Sequence, residues 1–206
     1  MAMLCPFFLN AQTESADPYE LLTEVSDSSR FHLGFHLGYT STYFYDQQQP
    51  SKPVSRPGAG IKLGLHSYYE LTDYLAISPK VELTMNSGHL KYSDGEGIAR
   101  TSPAMSSSLQ FMGHLMVKLP IGKYQPFLNI GPNFRLPVKQ ENLTEGNYGF
   151  QSDVALDVGI GFERAFKPFR ILPEIRYSYG FKNVNLNPYM GNLYLHQLSL
   201  IMAFTD

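Results

Sequence analysis

The chain has 206 residues, which suits one domain, with 43% hydrophobic residues, only 17% charged residues and a formal net charge of −2. Ordinary soluble domains carry roughly a quarter charged residues, and the Lys and Arg here stand singly rather than in a basic stripe, which excludes nucleic acid as a partner. Cys5 is the single cysteine, so neither a disulfide framework nor a thiolate metal site can form within one chain.

In chain order, Met3 to Leu9 form a short apolar run and Ala11 offers a cleavage point, so residues 1–11 read as the end of an export signal. No basic residue precedes the run. The other readings are a cytosolic N-terminus and a lipidated Cys5, and Ala2, Met3 and Leu4 are not the small residues expected before a lipidated cysteine. Residues 12–29 form a polar lead-in with Glu14, Asp17, Glu20, Glu24 and Asp27. Regular alternation starts at Arg30, so a barrel domain is expected over 30–206. No run of about 18 apolar residues occurs, which excludes a conventional transmembrane helix but not a membrane.

The first strand sets Phe31, Leu33, Phe35, Leu37 and Tyr39 against His32, Gly34, His36 and Gly38, two faces of an extended chain. A Pro- and Gln-rich stretch, 46–58, reads as a loop. The second strand sets Ile61, Leu63 and Leu65 against Lys62, Gly64 and His66. After a short turn the third sets Leu75, Ile77, Val81, Leu83 and Met85 against Ala76, Ser78, Lys80, Glu82 and Thr84. A long polar loop is expected over 87–107. The fourth strand carries Leu109, Phe111, Leu115, Val117 and Leu119 against Gln110, Met112, His114, Met116 and Lys118. A tight link leads to the fifth, with Leu128, Ile130, Phe134 and Leu136 against Asn129, Gly131, Asn133 and Arg135.

After a polar loop, 139–151, the sixth strand alternates Val154, Leu156, Val158, Ile160 and Phe162 with Asp153, Ala155, Asp157, Gly159 and Gly161. The seventh sets Ile171, Ile175, Tyr177, Tyr179 and Phe181 against Leu172, Glu174, Arg176, Ser178 and Gly180. A loop over 183–192 precedes the eighth, with Leu198, Leu200, Met202 and Phe204 on one face. Pro79, Pro132 and Pro173 fall inside strands, where each removes a ladder donor, so bulges or strand ends are expected near them.

The connections alternate long and short, and each strand holds about ten residues of alternation, the length a tilted strand needs to cross a bilayer. The expected fold is therefore all-β: an eight-stranded antiparallel up-and-down transmembrane β-barrel in the bacterial outer membrane, with membrane lipid as its first partner. A closed barrel leaves no backbone group unpaired in lipid. The competing reading is a soluble barrel of the lipocalin kind, whose second face would have to be well hydrated. Here that face holds Gly, Ala, Ser, Asn and a few charges, which favours the membrane. Tyr43, Phe44, Tyr45, Tyr68, Tyr69, Tyr74, Tyr124, Phe166, Phe169 and Tyr194 cluster near strand ends, as two interfacial girdles would.

Charges on the small-residue face nearly balance, which predicts a salt-bridged lumen built on Lys62, Glu82, Arg135, Asp157, Glu174 and Arg176. Hairpin register brings Lys62 to Glu82 and Asp157 to Arg176, with Arg135 on the other side of Asp157. Packing is the leading reading of this cluster, since opposite charges in a narrow, partly dry lumen need one another; an ion or proton path is the alternative. His32, His36, His66 and His114 also face inward, but residues four apart on a strand lie about 13 Å apart. A cross-strand pair such as His36 with His66 lacks a third ligand, and no metal or other cofactor is expected. No Ser–His–acid set stands out, so no catalytic residue is expected, and Ser178 and Ser199 read as small lumen fillers.

The segments PFLNIGPNFRLPV (126–138) and LDVGIGFERAFKPFRILPEIRYSYGFKNV (156–184), with the terminal LSLIMAF (198–204), resemble the PorT-like outer-membrane β-barrel proteins of Bacteroidetes. The likeness spans most of 30–206, and Thr205 and Asp206 extend past the usual terminal aromatic. It implies a non-enzymatic accessory or assembly barrel of type IX protein secretion, with other outer-membrane or periplasmic secretion proteins as partners. A free-standing barrel that binds a ligand or partner through its long loops is the second expectation, and a conducting pore the third.

Overall fold

A computed structural model describes residues 30–46, 49–53, 58–93, 99–103, 105–119, 121, 124–138, 150–186 and 191–206. The segments expected to be a signal remnant and a polar lead-in, and much of the 46–58, 139–151 and 183–192 loops, lie outside the described residues.

The strands are β1 (Phe31–Asp46), β2 (Gln49–Pro53), β3 (Gly58–Thr72), β4 (Leu75–Asn86), β5 (His89–Ser93), β6 (Ala99–Pro103), β7 (Ser107–Lys118), β8 (Gln125–Pro137), β9 (Asp153–Ala165), β10 (Arg170–Gly180) and β11 (Leu193–Thr205). Eight of them, in the order β1-β3-β4-β7-β8-β9-β10-β11, pair antiparallel, and β11 returns to β1 to close the ring. The seam is a full ladder running from Gly34↔Thr205 to Asp46↔Leu193. Thr205 and Asp206 belong to it: the Thr205 hydroxyl donates to the Leu33 carbonyl at 3.0 Å, and the Leu33 N–H donates to Asp206 at 3.2 Å. No sheet edge is left for the bilayer to solvate.

The faces fall as the alternation dictates. Phe31, Leu33, Phe35, Leu37 and Tyr39 of β1 are exposed on the outer wall, as are Val154, Val158, Ile160 and Phe162 of β9, whereas His32, His36, Asp153, Ala155 and Asp157 are buried inside. On several strands the inner face sets long polar chains beside glycine. Gly64 lies between His36 on one neighbouring strand and Glu82 on the other. A β-carbon at Gly64 would meet the His36 ring at 2.5 Å, so its absence lets that imidazole reach across to Glu82.

Several expectations change. Neither 46–58 nor 87–107 is wholly a loop: β2 in the first folds back on the end of β1, and β5 and β6 in the second form a two-stranded hairpin. Leu90 of β5 is fully buried and anchors the hairpin to the barrel mouth. The three internal prolines do not sit at bulges either. On one side of each, two rungs are missing between β3 and β4, β7 and β8, or β9 and β10, and the register resumes unchanged beyond the gap. A missing N–H removes ladder bonds, while the pairing on the other flank of the strand stays continuous at Pro79↔Gly113, Pro132↔Leu156 and Pro173↔Met202.

Aromatic residues ring both ends. Tyr69, Tyr74, Tyr124, Phe166 and Phe169 are exposed near the short turns, while Tyr43, Tyr45 and Tyr194 stand near the long connections. Phe44 and Tyr68 do not belong to the girdles. Both fall on the inward parity of their strands, Phe44 after Thr40 and Thr42 and Tyr68 after His66, and both are buried in the lumen.

Candidate functional site: a filled lumen and its rims

The lumen is stratified. At the end with the short turns, Tyr68, Ala76, Met116, Phe127, Leu172 and Ala203 form an apolar stopper. At the opposite mouth Phe44, Leu90, Met105, Phe150, Val184, Leu193 and Leu195 form another. Between them lies a layer of buried charge and amide.

The charged layer is organised around β4 and β10, which stand four places apart in the closed order and so face each other across the lumen. Lys80 and Glu82 of β4 meet Glu174 and Arg176 of β10 with signs reversed. Lys80 Nζ lies 3.2 Å from Glu174, and Arg176 Nη1 lies 3.3 Å from Glu82. Arg176 also donates to Glu174 on its own strand, at 2.9 Å from Nε and 3.1 Å from Nη2. Lys62 Nζ reaches Glu82 at 2.7 Å and His36 Nε2 meets the same carboxylate at 3.0 Å. The result is one chain of alternating charge, Lys62–Glu82–Arg176–Glu174–Lys80, in which each carboxylate is shared by at least two cations. Such sharing is what makes buried ions tolerable.

Of the six residues expected to cluster, Lys62, Glu82, Glu174 and Arg176 share this chain, while Arg135 and Asp157 do not. Lys62 meets Glu82 diagonally, since its direct rung partner is Thr84. Asp157 lies opposite Ser178 rather than Arg176. It is held instead by His114 Nε2 at 3.2 Å and by the Asn133 amide, which donates to it at 3.1 Å. Arg135 faces Asp153 in register and pairs with it at 3.2 Å, also donating to the Leu195 carbonyl at 3.1 Å. Neighbouring-strand logic finds the Lys62 pair but not the contacts that cross the lumen. The complementary triplets Lys80-Val81-Glu82 and Glu174-Ile175-Arg176, half a barrel apart, were the available signal.

A second ion cluster lies beyond the short-turn stopper, at that rim of the barrel. Lys118 pairs with Glu163 and Glu70, each at 2.8 Å, and Arg170 pairs with Glu163 at 2.8 Å. Lys118 also lies over the Tyr68 ring, 4.2 Å from its centre. Amides stitch the upper layer: Gln110 donates to Thr84 at 2.9 Å and accepts from Asn133 at 2.9 Å.

The inward histidines and serines are packed among the other lumen side chains. His36 and His66 rings lie 5.8 Å apart, and no group of three candidate metal ligands occurs among the described residues. Ser199 donates to Thr40 at 3.0 Å. Ser178 stands in register with Asp157, and His114 approaches that carboxylate from β7, so the acid lies between hydroxyl and imidazole. In a nucleophilic triad the imidazole would contact the hydroxyl.

A closed eight-stranded antiparallel barrel with an apolar outer belt, aromatic rims and a polar filled interior defines a small outer-membrane β-barrel. The chain belongs to the outer membrane protein beta-barrel domain family, whose pattern it matches over residues 10–185, and its place is the bacterial outer membrane. Among solved structures it is similar to Neisserial surface protein A, with a TM-score of 0.54 and 13% identity over 85% of this chain and 96% of that one. The outer membrane enzyme PagL aligns at 0.48 and 14% identity, covering 82% and 97%, and Ail of Yersinia pestis at 0.44 and 10%, covering 85% and 98%. No curated protein sequence matches the chain.

Proposed function

We propose that this barrel is a non-enzymatic accessory or assembly component of the outer membrane, serving type IX protein secretion. The observation that carries the non-enzymatic part is the stratified lumen. Among the described residues its lumen charges pair with one another and an apolar cluster lies toward each end, which supports a reading in which the work falls to the surfaces. The secretion role is supported by the likeness of the 126–138 and 156–184 segments to PorT-like barrels. Deletion of the gene, with secreted cargo quantified and the native outer membrane probed by co-purification, tests the reading. Loss of cargo export together with recovery in a larger assembly is expected; normal export and a lone monomer would refute it.

A second reading is favoured by the long-connection mouth. There Leu90, Met105, Phe150 and Val184, from three separate connections, pack on Phe44, Leu193 and Leu195 of the wall. Loops gathered on a shared apolar base form a defined surface for an external ligand or partner protein. Binding lost when loop residues are exchanged, with export intact, would establish this reading over the first.

A further inference from the structure

The ladder between β9 and β10 is interrupted where Leu172 and Pro173 should pair, between the rungs Ile171↔Arg164 and Glu174↔Gly161. Pro173 has no N–H to contribute, and Gly161 beside it has no side chain. A β-carbon on Gly161 would collide with the Pro173 carbonyl and come within 2.5 Å of the Phe127 ring, so the gap requires glycine there. On the outer wall a cavity of about 680 Å³ opens at this point, lined mainly by apolar residues, among them Leu128, Ile160, Phe162, Pro173 and Ile175, with Glu174 the one charged residue among the described residues on its lining. Its floor is unlike the rest of the wall. Phe127, a member of the lower apolar stopper, reaches it from the lumen side. The cavity is therefore a notch leading from the hydrocarbon of the bilayer to the apolar end of the interior.

Two residues beyond Phe162 on the same face stands Arg164, at the rim with the short turns. Its guanidinium donates to the Tyr124 hydroxyl at 2.7 Å and lies 4.9 Å from the Tyr124 ring centre and 4.7 Å from that of Phe166. No carboxylate pairs with it among the described residues. An oriented cation at interfacial depth, about 7 Å along the strand from an apolar notch, has the layout of a phospholipid: phosphate at the interface, tail below. A polypeptide would bring unpaired backbone into the notch and a polar solute would lose its hydration, both costly in lipid.

We propose that this site binds one phospholipid of the periplasmic leaflet, with its phosphate on Arg164 and one acyl chain in the notch against Phe127. The full chain, reconstituted in discs of phosphatidylethanolamine and phosphatidylglycerol and released for native mass spectrometry, tests it. The barrel is expected to retain one phospholipid. Ile160→Trp, which fills the notch, abolishes retention, and Arg164→Glu lowers it about tenfold, the effect of losing one charge-assisted contact. Leu65→Trp, on the exposed wall half a barrel away, leaves it unchanged. Folding of each variant is verified by faster migration of the unboiled form. Equal retention by the folded Arg164→Glu protein, or equal loss in Leu65→Trp, would show only the ordinary lipid belt and overturn the proposal.

Discussion

At the scale of single residues, Glu82 is the pivot of the interior, because Lys62, His36 and Arg176 converge on one fully buried carboxylate. Glu82→Gln leaves the buried Lys62 without a carboxylate and Arg176 with Glu174 alone, and breaking a buried pair in this way costs about 3–5 kcal/mol. Urea unfolding of the reconstituted protein is expected to show that loss, and Lys62→Met combined with Glu82→Leu is expected to recover part of it, since Arg176 keeps Glu174. The two faces of β9 give a second prediction. Val158→Lys puts a cation on the lipid-facing wall, at about 2–4 kcal/mol near mid-membrane, whereas Ala155→Ser adds a hydroxyl to a polar interior beside Asn133. Assembly into membranes is expected to fall for the first and hold for the second. Lys62 with Glu82 is readable from the register of one hairpin. Glu82 with Arg176 is not, because it depends on barrel closure, which places β4 and β10 face to face.

At the scale of elements, strand identity and facing were legible because alternation has a period of two and both environments are strict, lipid outside and packed polar chains inside. What escaped the pattern lies where a second constraint acts. Phe44 and Tyr68 look like girdle aromatics by type, but parity turns them inward, where they cap the polar layer. The β5–β6 hairpin was hidden because its five-residue strands carry Leu90 as their buried apolar anchor, too little for a periodic signal. Leu90→Asp is expected to raise amide hydrogen exchange across β5 and β6 while the eight wall strands keep their protection. Unchanged exchange in the hairpin would mean that it is held by something other than this anchor. The prolines teach the opposite lesson: they remove rungs without shifting register, because each strand remains continuously paired on its other flank.

At the scale of the whole molecule, two apolar clusters and a charge-paired middle fill the described interior of the barrel, which supports a barrel that does not conduct. The closed β1–β11 seam should keep the unboiled protein compact in detergent, migrating faster than the boiled form on a denaturing gel. Its filled interior is the basis for assigning function to the rims and outer wall, and planar-bilayer recording of the reconstituted protein tests that claim most directly. The account predicts no stepwise conductance at any applied voltage that leaves the bilayer intact. Reproducible unit openings from the folded wild-type barrel would contradict it.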